Sequence, residues 1–447
     1  MHGYDAETEN LAQAVLRAAC DRLRLDPAPL NGSRSLTELE AEIGDTVTED
    51  GLGLRALDLF TGPLSRACIS TDHPRFLAFV PCAPTEAAML FDLLVGVSSV
   101  YGGSWLEGAG AVFAENQALR WLADLAGLPS EAGGVFVPGA TVGTLSALVT
   151  ARHRARAGTP AASGRRGVVA ASANAHSSVA AACEVMDVDL VDVPVDAGGR
   201  MTGESLRRTV AGIDGLFAVV ATAGTTNLGI VDDLAGAAEV CGERGAWLHV
   251  DGAYGAAGLA APSVRGLFDG VERADSLVVD PHKWLFAPYD CCALLYREPE
   301  AAREAHTQRA GYLDILAATK ETNPADLAVG LTRRARGLPF WFSVAVNGTR
   351  AYTRAVERTL ELARFAADEV RRRPHLELIA EPDLSVVAFR RLGWSPEQYH
   401  VWSDRLLLTG FAFVVPTTYG GETVTRLAVV NPRTTEADIS SILDTMA

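Results

Sequence analysis

The sequence predicts an α/β protein with a mainly parallel central sheet flanked by helices. Between residues 130 and 300, short apolar runs rich in β-branched residues alternate with longer helical patterns. The runs are Gly134–Val137, Val168–Ala171, Leu216–Thr222, Ala246–Val250, Ser276–Val279 and Cys292–Tyr296. With 447 residues, 48% of them hydrophobic, the chain is also long enough to bury a large core and to carry smaller appendages.

Two smaller regions flank this core. Helical patterns dominate the first 75 residues apart from a break rich in Pro, Gly and Ser at Asp26–Ser33. Near the C-terminus, Ser395–Gln398 combines an N-cap, a proline at the first helical position and a capping-box partner, and Gly410 ends the helix. A strand pattern at Thr423–Val430 and a helix from about Thr435 follow. We expect an N-terminal helical segment (1–75), a large domain (76–338) and a small C-terminal α+β domain (339–447).

Charge and cysteine content restrict the classes of partner. A net charge of −16 disfavours binding to nucleic acid or to anionic membranes, so we expect a small-molecule partner. The most apolar stretch, Met89–Trp105, is interrupted by Asp92 and predicts no membrane span. Seven cysteines without C-x-x-C pairing and a first segment unlike a signal peptide predict a cytoplasmic protein with no disulfide framework and no metal site.

Lys283 lies where the strand pattern Ser276–Val279 runs into Asp-Pro-His-Lys-Trp. One interpretation is a lysine whose stem packs on apolar neighbours while its ammonium reaches water. The other is a reactive amine, because burial lowers the pKa of a lysine and leaves more of the neutral form that condenses with an aldehyde. The residues that follow the other strands favour the reactive amine.

Asp251 ends the apolar run Ala246–Val250, at the carboxyl edge where parallel α/β sheets bind ligands. A carboxylate in apolar surroundings needs a cationic partner. A protonated pyridine nitrogen is such a partner, and keeping it protonated makes the ring an electron sink. The alternative is a helix cap for Gly252–Leu259. The presence of Lys283 favours the pyridine.

Other strands are followed by groups suited to the same ligand. His176 follows the second run, and its imidazole is suited to stack on a planar ring, although a capping or core histidine is the alternative. Thr222 ends the third run, and His282 precedes the lysine. After the first run, Pro138–Thr141 opens a helical pattern with small residues, so its free backbone N–H groups are suited to bind an anion.

In this order, these segments resemble the group II decarboxylases that act on amino acids with pyridoxal 5'-phosphate (PLP), most closely the aromatic-L-amino-acid branch. The matching stretches are Gly133–Thr141, Ala175–Ser178, Ala221–Thr226, His249–Tyr254 and Asp280–Trp284. The resemblance runs from about Pro74 to the C-terminus and weakens after Arg336. It implies a fold-type I PLP enzyme with an amino-acid substrate.

The resemblance also implies a role for each site residue. Lys283 would carry PLP as a Schiff base, Asp251 would pair with the pyridinium, and His176 would stack on the ring. The phosphate would be held by Ala140, Thr141 and His282, and the ring lined by Thr222 and Ala253. Asp280 stands where the family often has Asn, which puts an acid close to the phosphate and leaves its contact open.

The family has a mobile loop whose tyrosine returns a proton to the substrate carbanion. Tyr312, in Arg309–Leu313, matches it, and an ordinary surface tyrosine is the alternative. A tyrosine here favours simple decarboxylation over oxidation to an aldehyde.

The segments that correspond to the family's side-chain pocket depart from its pattern. Cys82, near Val80, stands where the family commonly has Thr, and Gly103 stands where it commonly has an aromatic residue. These changes imply a pocket that is enlarged or reshaped. Tyr101 and Tyr289 are available to refill it. We expect an aromatic or bulky apolar amino acid. The family also forms its active sites between two subunits with interlocked N-terminal helices, which implies a homodimer with a shared site.

The sequence therefore predicts a PLP-dependent carboxy-lyase that converts an L-amino acid to an amine and carbon dioxide. Two alternatives stay open at this point. One is oxidative decarboxylation-deamination to an aldehyde, and the other is a fold-type I protein that binds ligands without catalysis.

Overall fold

The structure, a computed structural model, describes residues 2–157, 167–308, 310–311 and 321–447. Its α-helices are α1 (Ala6–Leu23), α2 (Leu36–Ile43), α3 (Arg55–Leu59), α4 (Glu86–Ser98), α5 (Trp105–Leu125), α6 (Ala140–Ala157), α7 (Ser177–Met186), α8 (Gly203–Val210), α9 (Leu234–Arg244), α10 (Pro281–Trp284), α11 (Pro299–His306), α12 (Leu338–Asn347), α13 (Thr349–Arg372), α14 (Pro396–Leu408) and α15 (Glu436–Asp444). No helix among the described residues is long and apolar enough to cross a membrane.

A seven-stranded sheet forms the centre of the molecule, in the order β1-β7-β6-β5-β4-β2-β3. Its strands are β1 (Gly133–Val137), β2 (Val168–Ser172), β3 (Asp189–Val193), β4 (Leu216–Thr222), β5 (Trp247–Asp251), β6 (Ser276–Val279) and β7 (Cys292–Tyr296). β7 runs antiparallel to both of its neighbours, and the other neighbouring pairs are parallel. The predicted α/β class with a mainly parallel sheet is confirmed.

The central strands are continuous apolar runs because both faces of the sheet are covered. Successive residues of a strand point to opposite faces. Val219 and Ala221 accordingly pack in one core cluster, whereas Ala218 and Val220 pack in another on the other face. Helix α6 approaches the sheet closely at Gly143, where an added Cβ would lie 2.7 Å from Val278 Cγ1.

A second sheet is antiparallel, in the order β10-β11-β9-β8. It contains β8 (Leu376–Leu378), β9 (Val386–Arg391), β10 (Pro416–Tyr419) and β11 (Glu422–Ala428), and helices α13, α14 and α15 accompany it. The predicted capping box at the start of α14 is present, since Ser395 accepts from the Gln398 N–H and the Gln398 side chain accepts from the Ser395 N–H. The predicted small α+β region therefore forms around this sheet.

Candidate active site

The carboxyl ends of the central strands meet at one cavity of about 350 Å³. Thr222 and Asp251 are the last residues of β4 and β5 and are register partners, and Asp280 directly follows β6. The cavity wall includes every residue predicted to hold the cofactor: Ala140, Thr141, His176, Thr222, Asp251, Ala253, His282 and Lys283. Residues far apart in sequence thus converge where parallel sheets bind ligands.

Asp251 is buried in this wall and accepts a hydrogen bond from the Ala253 N–H at 3.1 Å. Burial, the largest influence, raises the pKa of its carboxyl above the usual value, although the nearby Lys283 ammonium opposes this effect. Next to it, the buried Thr222 Oγ1 has no hydrogen-bond partner in the described part of the chain. Both groups are therefore available to a polar ligand.

Lys283 forms an ion pair with Asp280, with 2.9 Å between Nζ and Oδ2. The lysine side chain is 27% exposed, whereas the aspartate side chain is 2% exposed. Burial by itself lowers the pKa of Lys283, but the charge and hydrogen bond of Asp280, with help from Asp251, outweigh it and raise the pKa. The expectation of a lysine pKa lowered by burial is therefore wrong in this structure, because the sequence argument omitted the ion pair.

His282 and His176 occupy different surroundings in the cavity wall. His282 is buried, its Nδ1 lies 2.8 Å from the Cys291 carbonyl oxygen, and burial lowers the pKa of its imidazole. His176 is exposed and caps α7, where its Nδ1 accepts from the Ser178 N–H at 3.2 Å and lies 2.9 Å from Ser178 Oγ. The capping interpretation of His176 is thus compatible with its place in the cavity wall.

The turn after β1 supplies a suitable site for an anion. Ala140 and Thr141 form the first turn of α6, an 18-residue helix that points its N-terminus into the cavity. The first N–H groups of a helix lack intrahelical partners, and the helix dipole favours negative charge there. A phosphate group fits this position.

Of the predicted substrate-pocket residues, Tyr289 lines the cavity, and Cys82 lies against Tyr289. Val80 packs against the main core, and the buried Cys82 thiol donates to the Ala287 carbonyl at 2.8 Å. Tyr101 donates its hydroxyl to the Leu331 carbonyl at 2.8 Å. A Cβ on Gly103 would lie 2.2 Å from that hydroxyl oxygen, so Tyr101 fills the space that the glycine leaves.

Five further described residues line the cavity without having been assigned to it from the sequence: Ser178, Gly224, Thr226, Tyr254 and Asp290. The first four lie in segments that match the family, so their position could have been inferred. Asp290 follows Tyr289 and forms an ion pair with Arg336. Tyr312 lies outside the described residues.

Comparison with known proteins decides the family. The family model "Pyridoxal-dependent decarboxylase conserved domain" matches residues 62–392. The chain belongs to the pyridoxal-dependent decarboxylase family. An aromatic-L-amino-acid decarboxylase of Bacillus atrophaeus is 31% identical over 397 residues, which cover 83% of this chain and 80% of the relative. An L-2,4-diaminobutyrate decarboxylase of Rhizobium meliloti (strain 1021) is 29% identical and covers 99% of this chain and 92% of its own length.

Solved structures agree with this assignment. A crystal structure of Oryza sativa TDC with PLP and tryptamine superposes with a TM-score of 0.89 at 25% identity, over 100% of this chain and 99% of that one. Mouse CSAD gives the same TM-score and identity over 99% and 98%. The protein is a PLP-dependent amino-acid decarboxylase.

The residues of the cavity fit PLP by their chemistry. A helix N-terminus is suited to the phosphate, a buried carboxylate to the ring nitrogen, and a lysine amine to the aldehyde. The buried oxygens Thr222 Oγ1 and Asp280 Oδ1 lack partners among the described residues, as expected for groups that face a polar ligand.

Proposed function

We propose that this decarboxylase converts an aromatic L-amino acid to its amine, with PLP attached to Lys283. The convergence of Lys283, Asp251 and the α6 N-terminus on one cavity is the single observation that carries the attachment site. The aromatic substrate is supported by the similarity to the Bacillus atrophaeus enzyme and by Tyr289 in the cavity wall.

The surroundings of each residue in the cavity wall support a specific role in binding the cofactor. The backbone N–H groups of Ala140 and Thr141, with His282, bind the phosphate. Asp251 holds a proton on the ring nitrogen, since a buried carboxylate pairs strongly with a cation. His176 covers one face of the ring, and Ala253 and Thr222 line it.

Bound PLP supplies an electron sink that accepts the electron pair of the bond to carbon dioxide. The chain contributes orientation and proton control. The cavity walls would orient the substrate and so select the bond that breaks. Lys283 would hold the cofactor and would be the group that the substrate amine displaces. Tyr312 donates the proton that replaces the carboxylate at Cα.

A Tyr312→Phe variant tests the proton donor. The expected result is a shift of product from amine to aldehyde, hydrogen peroxide and ammonia, measured by chromatography and a peroxide assay under air. The matched control is Tyr289→Phe, which keeps Tyr312 and should leave amine as the main product. An unchanged amine-to-aldehyde ratio in the Tyr312 variant would exclude its role and favour another donor.

A short cationic amino acid is a second candidate substrate. Asp290 places a half-exposed carboxylate at the cavity, and the Rhizobium meliloti relative is a diaminobutyrate decarboxylase. The pairing of Asp290 with Arg336 neutralises much of this charge, so we favour the aromatic substrate.

Product analysis separates these candidates. The PLP-loaded enzyme is incubated with L-tryptophan, L-tyrosine, L-phenylalanine, L-histidine and L-2,4-diaminobutyrate, and both amine and aldehyde are measured. We expect the highest kcat/KM for one of the aromatic substrates. Preference for diaminobutyrate would replace the substrate proposal, and absence of turnover on the whole panel would contradict it.

We further propose a homodimer with a shared active site. Helices α1, α2 and α3 bury no residue, which is unusual for helices with many leucines. Helix α4 exposes Leu90, Leu93, Leu94 and Val97, which form one stripe at helical spacing. The segment from Tyr101 to Trp105 follows this stripe directly, so a second copy that covers α4 also meets the predicted substrate-pocket segment.

A charge on the stripe tests the dimer. Val97, 72% exposed in the isolated chain, is replaced by Asp, and Val401 on α14, 62% exposed, is replaced by Asp as the control. Analytical ultracentrifugation should show a dimer for the wild type and the Val401 variant and a weakened dimer for the Val97 variant. A monomeric wild type would contradict the proposal.

The free state of all seven cysteines supports our proposal of a cytoplasmic location.

A further inference from the structure

The proposed mechanism assigns no role to Asp280, the carboxylate beside Lys283. Asp280 precedes α10 and does not cap it with its side chain, although Asp is a common capping residue. Its carboxylate instead turns into the cavity and contacts Lys283 Nζ at 2.9 Å. The other carboxylate oxygen, Oδ1, is buried and has no hydrogen-bond partner in the described part of the chain.

The structure fixes this carboxylate firmly. The Asp280 N–H donates to the Ala253 carbonyl at 3.0 Å, and the Lys283 N–H donates to the Asp280 carbonyl at 2.9 Å. The side chain is 2% exposed, so water competes little with the lysine for its charge. A buried carboxylate without a cation is costly. Lys283 is the cation in contact with it, since His282 Nε2 lies farther away, at 3.6 Å from Oδ2, and burial lowers the pKa of that imidazole.

We infer that Asp280 is a positioning residue for Lys283: it holds the free lysine as an ammonium against the cavity floor and so restrains its attack on the cofactor aldehyde. The inference rests on the proposed attachment of PLP to Lys283. It concerns the two moments when the lysine is free, before the cofactor is captured and after the substrate amine has displaced the lysine.

The chemistry of capture makes this restraint measurable. Only the neutral amine has the lone pair that adds to the aldehyde carbon, so the ammonium must first release one proton. The amine then condenses with the aldehyde, one C=N bond forms and one water leaves. Because Asp280 stabilises the ammonium, capture by the wild-type chain should require a higher pH than capture by a chain with a neutral residue at this position.

Other groups also face the lysine and have to be separated from Asp280. Besides Asp280, the titratable side chains around the lysine in the described part of the chain are Asp251, His282, Cys292, His176, Tyr254, Tyr289 and Asp290. Burial raises the pKa of the Cys292 thiol well above its usual value, and burial lowers the pKa of His282, so both are neutral near pH 7. Asp251 affects the lysine through its charge, but Asp280 forms the direct ion pair, at 2.9 Å.

The test measures cofactor capture as a function of pH. Full-length enzyme is stripped of cofactor, and the appearance of the visible absorbance of lysine-bound cofactor is followed after addition of PLP or of pyridoxal. Pyridoxal lacks the phosphate, so it reports the lysine without repulsion between Asp280 and a phosphate. The variants are Asp280→Asn, which has nearly the same shape, Asp280→Glu, which keeps the charge, and Asp290→Asn as the cavity control.

The expected result is a lower pH midpoint of capture in Asp280→Asn, by about one unit or more, which corresponds to capture about tenfold faster near neutral pH. Asp280→Glu keeps the charge, so its midpoint should lie closer to the wild-type midpoint than that of Asp280→Asn. Asp290→Asn should keep the wild-type midpoint. Equal midpoints in the wild type and Asp280→Asn, with both probes, would overturn the inference while leaving the proposed function intact. If borohydride reduction of the wild type fixed no cofactor on Lys283, the proposed function itself would fail and the inference with it.

Discussion

A buried histidine beneath the cofactor cavity gives the stability of this enzyme a predictable pH dependence. His249, on β5, is fully buried, with Nε2 3.2 Å from Thr144 Oγ1 on α6 and Nδ1 2.9 Å from Ser276 Oγ on β6. Trp247 Nε1 donates to the same serine oxygen at 2.7 Å. The network therefore joins α6, β5 and β6, the elements that carry or lead to Ala140, Asp251 and Lys283.

The size of this pH dependence follows from the pKa of the His249 imidazole. Burial lowers the pKa of His249 from 6.5 to about 3, because the cation would lose its hydration. Below pH 6.5 the unfolded chain binds a proton at His249, whereas the folded chain does not until about pH 3. The stability that the neutral His249 contributes is thus fully present above pH 6.5. It is lost as the pH falls, by about 1.4 kcal/mol per pH unit, which amounts to about 3 kcal/mol at about pH 4.5.

Replacement of His249 by Gln removes this titration. The variant should be less stable near neutral pH, by about 1–3 kcal/mol, since the hydrogen bonds of the network are disturbed. Between about pH 6.5 and about pH 4.5, the wild type should lose about 3 kcal/mol more than the variant. The measurement is the free energy of unfolding in urea at fixed protein concentration, followed by tryptophan fluorescence.

The control is His400→Gln, which makes the same substitution at an exposed histidine outside this network. Acidic pH also protonates carboxylates in every variant, and the comparison cancels that shared loss. If the stabilities of the wild type and the His249 variant fell in parallel across this range, the reasoning would be refuted. The imidazole would then titrate in the folded state much as it does in the unfolded chain.

Three further predictions concern other parts of the molecule. Glu115→Gln should lower the free energy of unfolding by about 3–5 kcal/mol, because it leaves the buried guanidinium of Arg333, now 2.9 Å from the carboxylate, without its anion; a urea titration that shows less than about 1 kcal/mol would contradict this. Asp251→Asn should lower kcat by about 100-fold or more with PLP still attached, as measured by amine production and absorbance, since the ring nitrogen would lose the carboxylate that keeps it protonated; near wild-type kcat would exclude the role. Gly103→Ala should displace Tyr101 and change the ratio of kcat/KM for tryptophan and phenylalanine about tenfold; an unchanged ratio would remove this segment from the substrate pocket.

Much of the central fold could be predicted because parallel strands with both faces covered are recognisable as apolar runs. The runs at β4, β6 and β7 agree in both bounds with the structure, and the predicted β5 run both begins and ends one residue early. Strand β3 was missed for a physical reason. It lies at the edge of the sheet, and its sequence DLVDV places two aspartates in a partly exposed strand.

The site residues that could be predicted are those that lie at the ends of strands. Thr222 and Asp251 interrupt apolar patterns at strand ends, so the sheet topology brings them together. The protonation of Lys283 could not be derived in this way, since it depends on the direction of the Asp280 side chain. The contacts of the predicted pocket residues Cys82 and Tyr101 with the backbone carbonyls of Ala287 and Leu331 are a geometry that motif matching does not contain.

The most direct test of the central claim is to locate the cofactor on the chain. The purified PLP-loaded enzyme is reduced with borohydride, digested and analysed by mass spectrometry, with Lys283→Ala as the control. We predict that the cofactor is fixed on the peptide that contains Lys283, and that the variant carries none and releases no amine from the preferred substrate. Cofactor fixed on another lysine, or amine production by the Lys283 variant at the wild-type rate, would contradict the account.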